Sequence, residues 1–311
     1  MRQTTGFRLL VADIDGTLLT SDRKVTPGVA RAIRAARERG VRVCLATGRM
    51  WRSAAPHVAA AGADPPAILY NGGLVYDFQE DRVLYRRTLG REAARAALQV
   101  LRNFPDVQPH LFVDDRALVS KMNRLSEEYA RKDGIRVEEV GDLLDFLCHA
   151  GSGELCEPDC GRPAGAFGEP MKILIVGDRP RLEQVAGAFS AAGHPLNFVF
   201  SEVNYLEVLP PGASKGEALR WLAEWLAVPP DSIVAVGDNL NDLSMIRFAG
   251  LGVAMANAPD ALRRQARYVA PRNDEEGLRD VIERFILTGP DGRPGDPDEP
   301  GAGPAESGPK S

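Results

Sequence analysis

The chain has 311 residues, of which 44% are hydrophobic and 26% are charged, which is ordinary for a globular protein of one large or two modest domains. Its net charge of -5 argues against a nucleic-acid partner, because such proteins usually carry basic patches. No uncharged apolar run approaches the roughly 20 residues that cross a bilayer. The polar start of the chain lacks the apolar region of a secretory signal. We therefore expect a cytoplasmic protein with no membrane partner and with reduced cysteines.

The amino-terminal segment predicts the alternating strands and helices of a parallel sheet. The apolar run Phe7–Ile14 is typical of a buried parallel strand. Thr26, followed by a proline, then provides a cap for a helix. Val41–Ala46 and Ala67–Tyr70 predict two more strands, with a helix over Trp51–Ala61 between them. This β-α-β-α-β order implies a parallel sheet with right-handed crossovers.

The middle of the chain has a different pattern. Leu74–Leu89 alternates like a hairpin that turns near Glu80, and antiparallel strand-like and helical stretches then alternate. We therefore predict an inserted α+β domain, the cap, over residues 85–203, between the two parts of a parallel-sheet core, 1–84 and 204–288.

Local composition and periodicity define the remaining segments. Residues 148–170, within the cap, are a loop rich in Gly, Pro and Cys, and the apolar-poor tail 289–311 is predicted to be disordered. Further helices are predicted at Arg91–Asn103, Arg124–Lys132, Ser214–Ala227, Leu240–Ala249, Asp260–Ala266 and Asp274–Leu287, and strands at Val107–Val113, Ala117–Met122, Met171–Val176, Leu196–Phe200, Ile233–Val236 and Gly252–Met255.

Two aspartates, Asp13 and Asp15, lie where the first strand ends, in the sequence Asp-Ile-Asp-Gly-Thr. Carboxylates two residues apart leave a strand on the same side, and ligands of open parallel sheets bind at the carboxyl ends of the strands. Gly16 permits a sharp turn at positive φ. The alternative is a solvated loop, in which Asp and Gly are common.

Three later segments begin at other strand or helix ends: residues 47–49 (Thr-Gly-Arg), Lys215 and residues 237–242 (Gly-Asp-Asn-Leu-Asn-Asp). A hydroxyl and backbone N–H groups bind phosphate oxygens, and a lysine neutralises a transferring phosphoryl group. Mg²⁺ needs few protein carboxylates, and Asp13 and Asp238 are candidates. Each segment alone also fits a turn or a solvated charge; their joint order favours a phosphoryl-transfer site.

The motifs D-x-D-G-T, T-G-R, S-K-G and G-D-N-x-N-D, in this order, resemble those of the haloacid dehalogenase-like phosphatases. Residues 71–73 (Asn-Gly-Gly), Glu207 and residues 252–258 are similar to the Cof-type branch, which has a large type IIB-like cap. The resemblance covers about 1–90 and 203–287, and within the cap little more than residues 171–173 (Met-Lys-Ile). It implies an α/β fold: a Rossmann-like parallel-sheet core with an inserted α+β cap that closes over the substrate.

The resemblance also implies roles in catalysis and metal binding. It makes Asp13 the nucleophile and a Mg²⁺ ligand, and Asp15 the general acid and base whose carbonyl reaches the metal. Asp238 is the other carboxylate ligand. Lys215 stabilises the charge of the nucleophile and the phosphate.

Phosphate binding is carried over in the same way. Thr47, Gly48 and Asn241, together with Lys215, match the phosphate-binding positions, and Asp242 orients the metal shell or Lys215. The expected reaction is hydrolysis of a small phosphorylated metabolite: a sugar phosphate, a nucleotide, flavin mononucleotide or pyridoxal phosphate. The rival functions are a phosphomannomutase-like phosphotransferase and a non-catalytic phosphate-ligand sensor.

The expected chemistry has two steps. Asp13 attacks phosphorus and forms an acyl phosphate, while Asp15 protonates the leaving oxygen and later deprotonates water. A free Asp has a pKa of about 3.9, so the acid role of Asp15 requires surroundings that raise its pKa.

The cysteines and histidines outside these motifs suggest one further site. Cys148, His149, Cys156 and Cys160 have a spacing that a structural zinc site allows, although ordinary thiols in a loop are the simpler interpretation. His57, His110 and His194 are interpreted as packing or surface residues.

Overall fold

The structure is a computed structural model and describes residues 6–149, 168–193 and 196–287. The predicted disordered tail, most of the 148–170 loop and His194 lie outside these residues. Cys156 and Cys160 lie outside them too, so the zinc alternative stays a prediction.

Fourteen strands are described in these ranges. In chain order they are β1 (Leu9–Ala12), β2 (Arg42–Leu45), β3 (Ala67–Leu69), β4 (Leu74–Asp77), β5 (Arg82–Arg86), β6 (Gln108–Val113), β7 (Arg116–Val119), β8 (Val137–Glu139), β9 (Pro170–Val176), β10 (Asn197–Glu202), β11 (Tyr205–Leu209), β12 (Ile233–Gly237), β13 (Leu251–Met255) and β14 (Tyr268–Ala270).

Ten α-helices are described in the same ranges. They are α1 (Pro27–Glu38), α2 (Trp51–Ala61), α3 (Arg91–Leu101), α4 (Arg124–Asp133), α5 (Leu143–His149), α6 (Arg179–Ala191), α7 (Lys215–Trp225), α8 (Leu243–Phe248), α9 (Asp260–Arg263) and α10 (Gly277–Ile282). Among the described helices, none has the length and apolar composition needed to cross a membrane.

A five-stranded parallel sheet, in the order β14-β13-β12-β1-β2, contains the first predicted strands. All four residues of β1 are buried, because helices cover a parallel sheet on both faces. Thr26 caps α1 as predicted, since its side chain accepts a hydrogen bond from the Val29 N–H at 3.2 Å. In register, Ala12 lies beside both Leu45 and Val236. The segments that follow β1, β2 and β12 therefore leave the sheet side by side.

The third predicted strand is placed differently. β3 belongs to a separate three-stranded antiparallel sheet, β3-β4-β5, and joins the parallel sheet only by one bridge between Ala46 and Ile68. That bridge is parallel, and the Thr47 N–H donates to the Ile68 carbonyl at 2.8 Å. The third strand therefore lies parallel to the end of the β2 segment, as expected, although its longer pairing is antiparallel, with β4. The hairpin predicted for Leu74–Leu89 is confirmed as β4 and β5.

A second large sheet has the order β10-β11-β9-β6-β7-β8. Its pairs are antiparallel except for β7 and β8. Helices α3, α5 and α6 share an apolar cluster with one face of this sheet, built around Leu98, Leu147 and Phe189. The predicted mixture of antiparallel strands and helices is present in this region.

The predicted domain boundaries, which stay predictions, divide two paired segments. β11 pairs with β9 and β10, so a boundary between residues 203 and 204 divides a hairpin of the six-stranded sheet. The boundary between 84 and 85 falls inside β5. The local periodicity of a sequence does not reveal which sheet a strand joins.

Candidate active site

Lys215 joins two aspartates at the carboxyl end of the parallel sheet. Its Nζ lies 2.6 Å from Asp13 Oδ1 and 2.6 Å from Asp242 Oδ1, and its side chain is 0% exposed. Ser214 caps α7 by accepting the Glu217 N–H, which places Lys215 at the first residue of the helix. Burial lowers the pKa of Lys215, but the two carboxylates outweigh burial and raise it above its ordinary value.

For Asp13, burial has a larger effect on the pKa than the neighbouring charge of Lys215. Burial raises its pKa, Lys215 opposes that rise, and the nearby negative charges of Asp242 and Asp15 add to it, so the pKa is about 7. A carboxylate with this pKa gains strongly from an additional cation.

The donor set around Asp13 fits a divalent metal ion. Carboxylate oxygens of Asp13, Asp238 and Asp242 lie within 4.8 Å of one another. Asp242 is already engaged, because Oδ1 accepts Lys215 and Oδ2 accepts the N–H groups of Asp238 and Asn239 at 2.9 and 3.0 Å. Burial and the charges of Asp13 and Asp242 raise the pKa of Asp238 well above its ordinary value. Asp13 and Asp238 are thus the carboxylates that would be left to hold Mg²⁺, which prefers oxygen ligands.

Gly16 fits closely against Asp238. Its φ is +75°, and a Cβ added there would lie 2.3 Å from Asp238 Oδ2. Asn257 donates to the Gly16 carbonyl at 2.9 Å and to Asp238 Oδ2 at 3.4 Å. Thr17 Oγ1 donates to Asp238 Oδ1 at 3.2 Å. The turn after β1 therefore helps to position the late aspartate.

Asp15 forms an ion pair that sequence reasoning did not predict. Arg49 Nε and Nη2 each lie 2.7 Å from an oxygen of Asp15, and Arg23 Nη2 lies 3.3 Å from Oδ1. Although burial raises the pKa of Asp15, the hydrogen bonds and charge of Arg49, with Arg23, hold it at about 2. The raised pKa that the acid role requires is not found in this conformation, in which Asp15 is an ionised carboxylate.

The turn formed by residues 47–49 is held from several sides. Thr47 Oγ1 accepts the Arg49 N–H at 3.1 Å, and the Thr47 carbonyl accepts the Asn71 N–H at 3.0 Å. Asn241 Nδ2 donates to Asn71 Oδ1 at 2.9 Å. Asn71 therefore links two of the predicted phosphate-binding segments, a role that no local sequence pattern indicates.

A cavity of about 400 Å³ lies between these loops and the six-stranded sheet. Its walls include six predicted site residues: Asp13, Asp15, Thr47, Gly48, Asp238 and Asn241. Lys215 and Asp242 are buried behind Asp13. The four sequence motifs thus meet at one place, as predicted for a single site.

The chain matches the haloacid dehalogenase-like hydrolase family over residues 10–144 and 166–282. It belongs to this family.

Several curated relatives are named as phosphatases. A 5-amino-6-(5-phospho-D-ribitylamino)uracil phosphatase of Bacillus subtilis is 25% identical over 293 residues, covering 89% of this chain and 97% of that protein. A pyridoxal phosphate phosphatase of Escherichia coli is 28% identical over 288 residues, covering 90% and 99%. The chain also resembles the chloroplastic endoribonuclease YBEY of Arabidopsis thaliana, 28% identical over 294 residues, but spans only 47% of that protein's length.

Solved structures show the same fold. A haloacid dehalogenase-like hydrolase from Bacteroides thetaiotaomicron superposes with a TM-score of 0.74 and 26% identity, covering 89% of this chain and 99% of that one. The predicted Rossmann-like core with a cap is confirmed as the fold class, and the chain is a Cof-type haloacid dehalogenase-like phosphatase.

Proposed function

We propose that this phosphatase hydrolyses a small phosphomonoester with the help of Mg²⁺ and through a phosphorylated Asp13. The observation that carries the proposal is the placement of Asp13. Its Oδ1 accepts Lys215 at 2.6 Å, its Oδ2 accepts no hydrogen bond from the described residues, and its side chain lines the cavity.

The first step is attack by Asp13 on phosphorus, which forms an acyl phosphate and releases the alcohol. Lys215 holds the attacking carboxylate and stabilises negative charge, and Asp242 fixes Lys215 from the other side. Asp13 and Asp238, with the Asp15 carbonyl as a predicted third ligand, would hold Mg²⁺, which stabilises charge on the phosphoryl oxygens. Thr47, Gly48 and Asn241 would bind those oxygens.

Asp15 serves the proton transfers in this proposal. Its ionised state suits the second step, in which it takes a proton from the water that hydrolyses the acyl phosphate. Protonation of the leaving alcohol requires Asp15 to separate from Arg49, because that ion pair holds its proton affinity low.

The cavity supports a small, polar leaving group. Charged side chains line it beyond the proposed phosphate site, among them Arg23, Lys132, Glu202 and Arg272. The two phosphatase relatives act, by their names, on 5-amino-6-(5-phospho-D-ribitylamino)uracil and on pyridoxal phosphate. We therefore propose a small phosphorylated metabolite as the substrate class.

The decisive experiment is Asp13→Asn assayed for phosphate release from a phosphoester panel with Mg²⁺. We expect a loss of at least ~10³-fold, as for removal of a nucleophile. Asp231→Asn, an exposed aspartate just before β12, is the control and should retain activity. Near-wild-type turnover of the Asp13→Asn variant would reject the covalent route, and transfer of phosphate to a second hydroxyl would favour the phosphotransferase.

A further inference from the structure

A buried ion pair lies on the face of the six-stranded sheet that meets the active site. Lys172 on β9 and Glu207 on β11 are joined by a 2.8 Å contact between Nζ and Oε2, and each side chain is 4% exposed. Glu207 lies opposite Leu174 in register, so Lys172 is its diagonal neighbour on the same face.

Lys172 reaches across to the predicted phosphate-binding turn. Its Nζ donates to the Gly48 carbonyl at 2.8 Å, and the ring of Phe112 lies 4.8 Å from the same nitrogen. The turn is also fixed internally by the Thr47 hydroxyl. Lys172 therefore ties the Gly48–Arg49 peptide to the six-stranded sheet.

Glu207 reaches the other phosphate-binding segment through Asn71. Its Oε2 accepts Asn71 Nδ2 at 3.1 Å, and Asn71 Oδ1 accepts Asn241 Nδ2 at 2.9 Å. Asn71 holds this position with φ +53°, a left-handed conformation that non-glycine residues adopt rarely. An unbroken chain of hydrogen bonds thus runs from Gly48 through Lys172, Glu207 and Asn71 to Asn241.

Stability alone does not explain why a buried ion pair stands at this position. Removing two charges from water costs several kcal/mol per ion, so an apolar pair of similar volume often stabilises a fold at least as well. Here both charged groups also hold a segment of the candidate site. We propose that Lys172 and Glu207 are positioning residues that set the separation between the turn at Gly48 and Asn241 for phosphate binding. This inference rests on the proposed phosphate-binding roles of Gly48 and Asn241.

Phosphate binding by these residues can be distinguished from recognition of the leaving group. A positioning role acts on the phosphoryl group, which all substrates share, so its loss weakens every substrate and inorganic phosphate by the same factor. A role in contacting the leaving group would change one substrate more than another. A role only in stability would change neither the binding of inorganic phosphate nor the binding of any substrate.

The test is the double variant Lys172→Met/Glu207→Gln, which removes the Gly48 contact without leaving an unpaired buried charge. We expect the inhibition constant of inorganic phosphate to rise about tenfold, the effect of losing one hydrogen bond of a charged group. The KM values of two chemically unlike phosphomonoesters should rise by the same factor. The matched control, Arg116→Met/Glu138→Gln, removes another ion pair of the same sheet and should leave all three values within twofold.

Two results would overturn the inference. One is a folded double variant whose phosphate inhibition constant stays within twofold of wild type; the other is a KM change confined to one substrate. Calorimetric titration of inorganic phosphate with Mg²⁺ measures the same binding without turnover. An inactive wild-type chain that still binds phosphate more tightly than the double variant would therefore contradict the proposed reaction and leave the positioning role supported.

Discussion

Lys215 is the residue on which the electrostatics of the site depend most directly. It is the shared cation of Asp13 and Asp242, so Lys215→Ala should lower kcat/KM by about 10²–10³-fold, as for loss of one preorganised charge stabiliser. The measurement is steady-state phosphate release, with circular dichroism to show that the variant folds. Lys121→Ala, at an exposed position, is the control. Unchanged kcat and kcat/KM in the Lys215→Ala variant would show that Lys215 plays no part in catalysis.

Gly16 offers a second test, because a comparison with Gly40 separates the backbone strain of a positive φ from the close contact with Asp238. Gly16→Ala places a Cβ 2.3 Å from Asp238 Oδ2 at a φ of +75°, so we expect the Mg²⁺ concentration for half-maximal activity to rise at least ~10-fold as Asp238 is displaced. Gly40 has a φ of +84° with no atom near its added Cβ. Gly40→Ala should therefore lose about 1–2 kcal/mol of stability and keep its Mg²⁺ requirement. Equal Mg²⁺ requirements in the two variants would contradict the proposed contact.

The strand β6 carries a buried histidine that links stability to pH. His110 is 0% exposed, and burial lowers its pKa from 6.5 to about 4. Between these values the unfolded chain binds the additional proton, so the free energy of unfolding falls as the pH falls from 6.5 to 4. The loss attributable to His110 should approach roughly 3 kcal/mol.

The variant His110→Phe, which keeps a ring against Tyr129, tests this linkage. The raised pKa values of Asp13 and Asp115 act in the opposite sense, so the relevant quantity is the difference between wild type and variant in urea denaturation at each pH. We expect the variant to gain relative stability as the pH falls. Parallel stability curves would show that His110 is not held neutral.

Among the elements, those with strong periodicity were predictable and those defined by pairing were not. β1, β2 and β12 follow from continuous apolar runs, and with them the positions of the motif residues. α6 was missed although Leu182, Val185 and Phe189 have helical spacing and are buried, because Pro180 and Gly187 interrupt the pattern. β8 has three residues, two of them acidic, and exists because it pairs with β7.

Within the candidate site, too, only some features could be predicted from the sequence. The aspartates, the lysine and the turn proposed to bind phosphate could be found because each follows a strand or begins a helix. The ion pair of Asp15 with Arg49 and the link from Glu207 to Asn71 join residues far apart in sequence. No local pattern specifies which partners meet, so these contacts became visible only in three dimensions.

At the scale of the whole molecule, we expect the proposed metal site to cost stability that bound Mg²⁺ would restore. Asp13 and Asp242 share one buried cation, Lys215, and burial together with the charges of Asp13 and Asp242 raises the pKa of Asp238. Saturating Mg²⁺ at 100 times its Kd should stabilise the wild-type fold by about 2.7 kcal/mol. Asp238→Asn should raise the unfolding midpoint without Mg²⁺, abolish the Mg²⁺ response and remove activity. Differential scanning calorimetry with and without Mg²⁺ decides, and an Asp238→Asn variant that retains the full Mg²⁺ response would exclude Asp238 as a ligand.

The hairpin of β10 and β11 also determines how this protein can be recombined with its relatives. A chimera joined at residue 204 would take β11 from one parent and its neighbours β9 and β10 from the other, with mismatched side chains along both seams. We propose that an exchangeable cap ends after Leu209. Such a graft transplants Lys172 and Glu207 together with the leaving-group pocket, so the recipient must offer compatible partners at Gly48 and Asn71.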